Sequence, residues 1–502
     1  MSAPTVPLAD FGRTHLIGVG GAGMSAIAAL LAARGLEVSG SDAREGPALA
    51  GLRTAGVTIW VGHDAAHVAG AQTVVVSTAV RETNPELAHA RVLGLRVLHR
   101  SQALAALMAD RRSIAVAGAH GKTTTSAMIA VALASAGLDP SFAIGGTVLF
   151  ELPVAVDPGS HPAPGPLGGA HDGVGDVFVA EADESDGSFL AYAPTIAVVT
   201  NVEPDHLDHY GTREAFEQAF EEFATRIVAG GALVACADDP GAVRLVAAAR
   251  ASLAARGAQV LTYGVAPDAD VVVERYQAAG AGSTFGLRTA HPALRGAGVA
   301  VVDGVLELDL HLAVPGAHNA LDAAAAWIAA RLVGVEPEVA VAGLGAFRGT
   351  GRRFEERGSA AGVRVVDDYA HHPTEVAALL RAARPVARGG RVLVLFQPHL
   401  YSRTRAFATQ FARALDLADA VVLTDIYGAR EDPDPTVTSA LITDQVATPG
   451  KAELVPDRMA AARRIAERAE PGDLVLTVGA GDVTELAQVV LEALATRQGP
   501  PR

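Results

Sequence analysis

The chain is poor in cysteine, basic charge and long apolar runs, and each shortage excludes something. Among its 502 residues there is one cysteine, Cys236. No internal disulfide and no cysteine-based zinc centre can form from it, and a reducing cytoplasm is the expected compartment. Apolar stretches are interrupted by Gly, Arg or Asp before reaching the ~18–20 residues that a membrane helix needs, so no membrane insertion is expected. Residues 1–10 carry neither a basic n-region nor a long apolar run, so no secretory leader is expected there. Basic charge is also scarce: 40 Lys and Arg against 55 Asp and Glu give a net charge of −15. That balance argues against non-specific nucleic-acid binding, which depends on basic surface, but it leaves room for small anions held by local arginines.

Lysine is scarcest of the charged residues. Only Lys122 and Lys451 occur, and Lys122 lies within Gly118-Ala119-His120-Gly121-Lys122-Thr123-Thr124-Thr125. A phosphate-cradling loop needs small residues that let backbone N–H groups approach, a compact ammonium for the terminal phosphates, and a hydroxyl for Mg²⁺. The segment is not a full Walker A, because Val116 stands where that pattern requires the first glycine. Read alone, it is also compatible with a glycine-punctuated strand-to-helix turn.

Half of the residues are hydrophobic, ample for several cores, and the length suggests two to four domains. Strands are expected at 15–19, 36–39 and 74–76, with a helix at 24–33. A second series has strands at 114–117, 177–180 and 196–200 and a helix at 126–136. A third has strands at 363–366, 392–396, 420–424 and 474–477. Such alternation predicts an α/β fold with parallel sheets covered by helices. Residues 157–176, rich in Pro, Gly and His, read as a surface loop. Three α/β domains are expected, at 1–112, 113–345 and 346–502.

Gly18-Val19-Gly20-Gly21-Ala22-Gly23 fits the dinucleotide fingerprint, with Asp42 at the end of the next strand. Such a loop recognises a pyrophosphate whatever is attached to it, so NAD and a sugar nucleotide both remain open. Further along, Glu181-Ala182-Asp183-Glu184-Ser185-Asp186 and Asn201-Val202-Glu203-Pro204-Asp205-His206-Leu207-Asp208-His209 follow two expected strands. Carboxylates and imidazoles at two strand ends behind a phosphate loop suit a shared divalent cation better than two solvated acidic loops.

Residues 15–25, 118–125, 181–186, 201–208, 315–319, 347–355, 367–375 and 397–405, taken in that order, resemble the Mur ligases over nearly the whole chain. The glycine loops discriminate weakly; eight motifs in the family's order are specific. Asp368-Tyr369-Ala370-His371-His372-Pro373 with Gln397-Pro398-His399 is most similar to the alanine-adding branch. The resemblance implies a Rossmann-like N-terminal domain for a UDP-sugar, a central P-loop-type ATPase domain and a Rossmann-like C-terminal domain. It implies ATP-dependent ligation of L-alanine to the carboxylate of UDP-N-acetylmuramate through an acyl phosphate, in cytoplasmic peptidoglycan synthesis. It further implies ATP and Mg²⁺ as cofactors and a monomer or homodimer.

The resemblance also implies residue roles. Gly18, Gly20, Gly21, Ala22, Gly23, Met24, Ser25, Asp42, Ser77, Thr78 and Arg100 would bind the sugar nucleotide. Gly118, Ala119, His120, Gly121, Lys122, Thr123, Thr124, His318, Asn319, Arg353 and Asp368 would bind ATP. Thr123, Glu181 and His206 would hold Mg²⁺. Lys122, Arg353, His371, His399, Arg403 and Arg405 would be catalytic, with His371 or His399 taking the amine proton and the third domain closing near 346–351. Several Mur ligases carry a carbamylated lysine after the Asn201–His206 type of segment; here residues 201–230 contain no lysine, as expected of the alanine-adding branch. Glu214, Glu217, Glu221 and Glu222 stand on the expected helix there. Three alternatives remain: a ligase recycling cell-wall peptide onto UDP-N-acetylmuramate, an NAD-dependent dehydrogenase, and a nucleotide-binding switch.

Overall fold

Short buried strands and covering helices build three main sheets in the computed structural model, which describes residues 6–150, 168–296, 301–429 and 431–497, the side chains of residues 207 and 208 excepted. The chain divides into two compact units, one of residues 1–275, 285–310 and 321–347, the other of residues 276–284, 311–320 and 348–502.

The first unit begins with a five-stranded parallel sheet in the order Thr58–Val61, Val38–Asp42, Thr14–Ile17, Thr73–Val76, Arg96–His99. Its central strand is buried along its whole length, as parallel strands covered on both faces are. A larger, ten-stranded sheet has Arg112–Ala117 in its interior, flanked by Val177–Glu181 and Ile196–Val199, both parallel to it. Glu181 pairs with Val116 and Val199 with Ala117, so the segments 118–121, 181–186 and 200–206 leave neighbouring strand ends. Ligand-binding crevices of open α/β sheets form at such carboxyl ends. One apolar cluster runs from Leu16, Met24 and Leu31 through Leu104 and Leu107 to Phe178, Phe216 and Phe223, so both sheets share a core.

The second unit carries a six-stranded sheet in the order Glu355–Ala360, Val363–Asp368, Leu474–Val478, Val392–Phe396, Ala420–Leu423, Ala452–Leu454. Its first pair is antiparallel and the others parallel. Apolar clusters cover both faces. Lys451 is paired with Asp416 at 2.9 Å.

The expected strands and helices appear with shifted ends. The helix expected from 126 spans Lys122–Ser135, because Gly121 at φ 82° starts it four residues earlier and puts the threonines in its first turn. The stretch expected as a loop at 157–176 lies outside the described residues up to 167. Its last part is more ordered than expected: Ala170–His171 pairs antiparallel with Phe142 and Ala143. A Cβ on Gly175 would sit 1.9 Å from the Leu138 carbonyl, so glycine there permits close backbone packing rather than turning a loop.

Candidate functional site

The first glycine loop works through its backbone. Gly18 takes φ 77°, and the N–H groups of Gly18 and Val19 donate to the Ser41 carbonyl at 2.8 and 2.9 Å. The Gly20 N–H donates to Asp42 Oδ2 at 2.8 Å, and the Ser25 hydroxyl to the Ala22 carbonyl at 3.0 Å. Asp42 therefore braces the loop from inside. The helix Ala22–Ala33 starts at this loop and brings its positive N-terminal end. In front lies a cavity of about 740 Å³. Gly18, Gly21, Ala22, Gly23, Met24 and Asp42 line it, as do Ser77 and Arg100.

Two of its features escaped the sequence reading. His63 lines the cavity, with Nδ1 3.0 Å from Glu86 Oε2, and His67 Nδ1 lies 2.6 Å from Glu86 Oε1. Glu86 is 0% exposed, accepts the Ser41 hydroxyl at 2.6 Å and lies 3.8 Å from His15 Nε2. Burial pushes its carboxyl up, but the contacts with His15, Ser41 and His67 outweigh that and bring it to about 2. The second is Asp183, read as part of a cation cluster, which also lines the cavity and accepts from Arg100 Nη2 at 2.6 Å.

The second glycine loop is shaped by its neighbours. A Cβ on Gly118, whose φ is 137°, would meet Thr200 Oγ1 at 2.1 Å and the Asn201 backbone at 3.1 Å. A Cβ on Gly121 would meet Asp322 at 2.7 Å. The His120 carbonyl accepts from Thr200 Oγ1 at 2.5 Å and from Asn201 Nδ2 at 2.9 Å, and its N–H donates to Asn201 Oδ1 at 3.1 Å. Lys122 Nζ donates to the carbonyls of Gly118 and Ala119 at 2.6 and 3.2 Å and pairs with Glu184 at 2.8 Å. Burial works against that ammonium, but Glu184, Asp183 and Glu181 outweigh it and hold its pKa up. Burial raises the Glu184 carboxyl to about 7 against the pull of Lys122.

Thr123 and Glu181 come together as expected, Thr123 Oγ1 donating to Glu181 Oε1 at 3.0 Å. Thr124 follows in the first helical turn. His206, at φ 52°, has Nε2 3.8 Å from Glu184 and 3.6 Å from Asp205. A non-glycine residue held there is strained, as residues at functional sites often are.

The four carboxylates of 181–186 do not form one cation cluster. Glu181 meets Thr123, Glu184 meets Lys122, Asp183 meets Arg100, and Asp186 accepts from Thr78 Oγ1 at 2.7 Å. Burial pushes the Asp183 carboxyl up, yet Arg100 and Lys122 bring it to about 2. The helix Arg213–Thr225 turns Phe216, Phe220 and Phe223 inward and leaves Glu214, Glu221 and Glu222 exposed, while Glu217 binds Arg213 and Arg244.

In the second unit, Asp368 is buried and accepts from the N–H groups of Phe354 and Ala370, both at 2.8 Å. Burial raises its carboxyl to about 6 in spite of Arg353. Arg353 lies 3.7 Å from Glu375 and stacks over Tyr369. His371 Nδ1 lies 3.0 Å from the Tyr369 carbonyl, and the rings of His371 and His399 are 5.8 Å apart. Arg403 is buried with its Nη1 3.3 Å from His399 Nδ1. Arg405 stands apart, paired with Asp434 at 2.6 Å, because residues two apart on a helix point to different sides. Asn319 Nδ2 donates to the Pro315 carbonyl at 2.7 Å, and His318 is exposed beside Gly316.

Comparison with known proteins agrees along the chain. Residues 13–112 match the Mur ligase family catalytic domain, 116–330 the Mur ligase middle domain, and 352–481 the Mur ligase glutamate ligase domain. The UDP-N-acetylmuramate–L-alanine ligase of Kineococcus radiotolerans is 57% identical, the match covering 99% of this chain and 100% of that protein. The crystal structure of the UDP-N-acetylmuramate–alanine ligase of Thermotoga maritima is 29% identical, with a TM-score of 0.74, over 96% of this chain and 98% of that one. A murein peptide ligase from Psychrobacter arcticus is 26% identical, with a TM-score of 0.68, over 97% and 99% of the two chains.

Proposed function

Because the chain belongs to the Mur ligase family, we propose that it uses ATP to join L-alanine to the carboxylate of UDP-N-acetylmuramate, giving ADP and phosphate, in peptidoglycan synthesis. The observation that carries the reading lies within one unit, where a glycine-lined cavity and a lysine-bearing glycine loop meet at the acidic segment 181–186. A dehydrogenase would leave Lys122, Thr123 and Glu181 without work. A nucleotide switch would not need the His371 and His399 cluster.

Amide formation from a carboxylate needs a leaving group. The muramyl carboxylate attacks the γ-phosphorus of ATP, and the acyl phosphate formed is then attacked by the amine of L-alanine, expelling phosphate. Lys122 stabilises the negative charge of the transferring group. Thr123 and Glu181 offer hard oxygen donors 3.0 Å apart, which suits Mg²⁺; these two and His206 would hold the ion, which supplies charge neutralisation. Asp368 receives the ribose, with His318 and Asn319 near the base.

The two histidines divide the proton work. A carbonyl only accepts, so His371 donates Nδ1–H to Tyr369 and its Nε2 is the basic atom. Arginine only donates, so His399 Nδ1 accepts from Arg403 and its Nε2 carries the proton. On this arrangement we assign the amine proton to His371, and to His399 the part of a donor to the developing oxyanion.

Gly118→Ala tests the ATP loop. The left-handed φ and the clash with Thr200 and Asn201 make a strain of about 1–3 kcal/mol, and KM for ATP is expected to rise roughly 5- to 100-fold with sugar-nucleotide affinity unchanged.

Phosphate release from Mg-ATP with UDP-N-acetylmuramate tests the whole reading. Release that requires L-alanine supports it. Release only with a tripeptide would support the recycling ligase instead. No release in any mixture returns the dinucleotide alternative.

A further inference from the structure

Arg100 has one guanidinium and two claims upon it. It lines the sugar-nucleotide cavity, and its Nη1 lies 3.5 Å from where a Cβ on Gly23 would project, so it stands against the loop and helix end that receive an anion. Its Nη2 is held by Asp183 at 2.6 Å, with Ser188 Oγ at 3.5 Å and Asp186 Oδ2 at 3.8 Å as more distant partners. Asp183 shares the cavity wall with it, and its further hydrogen bond is from the Ser185 N–H at 3.0 Å. Asp42, the other carboxylate on the wall, is bonded to the loop's own Gly20 N–H and so stays in place. An anionic group docking against Arg100 meets the Asp183 carboxylate at short range, and like charges sharing one cation repel.

The same short segment reaches the other nucleotide loop. Glu181, two residues before Asp183, takes the Thr123 hydroxyl, and Glu184, the next residue, takes Lys122. Asp186 holds Thr78 from the sugar-nucleotide side. A shift of Asp183 moves the backbone that carries the partners of Thr123 and Lys122.

We propose that Asp183 is a built-in competitor for Arg100: it holds the guanidinium before substrate binds, yields it to an anionic group of the sugar nucleotide, and so couples the filling of that cavity to the Lys122 loop. Asp183 is thus a positioning residue, and the proposal rests on the ligase reading given above.

The test is calorimetric titration of the full chain and of Asp183→Asn with uridine, UDP, UDP-N-acetylglucosamine and UDP-N-acetylmuramate, the last also with a non-hydrolysable Mg-ATP analogue present. Absence of UDP-N-acetylmuramate binding in the unaltered protein would count against the ligase reading itself. With binding established, Asp183→Asn is expected to bind the anionic probes about 5- to 50-fold tighter, to bind uridine unchanged, and to lose the difference in affinity that the ATP analogue makes. Tightening that includes UDP identifies the diphosphate as the anion; tightening confined to UDP-N-acetylmuramate identifies the carboxylate. Unchanged or weaker binding of every anionic probe overturns the proposal, and so does equal tightening of uridine, which would mark a general structural effect. Asp183→Glu, which keeps the charge, is expected to restore the original preferences. If Asp183→Asn does not fold, Asp183→Ser is judged by the same criteria.

Discussion

Lys122→Ala is expected to lower L-alanine-dependent phosphate release by roughly a thousandfold while UDP-N-acetylmuramate binds with unchanged affinity. The ammonium is held by two loop carbonyls and Glu184, so its position is fixed before phosphate arrives. Preorganised charge of that kind acts on the transferring phosphoryl group without reorganisation. Lys122→Arg is expected to fail as well, because a planar five-donor fork does not fit among the Gly118 and Ala119 carbonyls where a point charge does. Binding measured by calorimetry beside turnover separates the two sites. Joint loss of turnover and sugar-nucleotide affinity in a folded variant would refute the assignment of Lys122 to ATP alone, and recovery with arginine would refute the geometric argument.

Glu86→Ala, at the start of the helix Pro85–Val92, is expected to be strongly destabilising. The carboxylate is fully buried beneath the cavity and gathers Ser41, His63 and His67. Its removal leaves the buried Ser41 hydroxyl and the partly buried His63 and His67 without this acceptor, costing about 3–5 kcal/mol, and calorimetry should show a fall in Tm of about 10 °C. The same residue sets a pH dependence. Its folded pKa of about 2 lies below the ordinary 4.5, so its stabilisation is complete above pH 4.5 and is lost as pH falls towards 2. The span corresponds to about 3 kcal/mol. Trp60 stacks on His67 with ring centres 4.7 Å apart, so its fluorescence reports the transition. An acid transition of the same midpoint and amplitude in Glu86→Gln would show that Glu86 does not set it.

Much of this was readable where chemistry is local. Gly118, Lys122 and Thr123 fall within six residues, although the crowding that requires glycine at 118 and 121 comes from Thr200, Asn201 and Asp322, far along the chain. Glu181 was readable because it ends the strand Val177–Glu181, and His206 because it lies in the polar segment that follows Ile196–Val199. Other parts had no local signal. His63 and His67 meet Glu86 across nineteen or more residues, in segments without a motif. Asp322, which accepts from Thr125 at 3.0 Å, lies on a distant helix that reads only as apolar. The segment 181–186 was legible as acidic but not in how its charges are shared, since that depends on Arg100 and Thr78 from another sheet. Arg403 and Arg405 look alike in sequence, and only helix phase separates the buried one from the exposed one.

The order of the central sheet has a consequence for how the chain emerges from the ribosome. The N-terminal sheet pairs Thr14 with Thr73 and Val76 with His99, so it can close once residue 99 is made. Arg112–Ala117 is synthesised next but becomes an interior strand only when Val177–Glu181 and Ile196–Val199 arrive. Until then Ile114, Ala115 and Val116, all 0% exposed in the folded protein, present two unpaired edges. Strands in that condition invite non-native pairing, and non-local parallel pairing is slow. The stretch of translation between residues 117 and 199 is therefore the window in which a nascent chain of this topology depends most on chaperone protection.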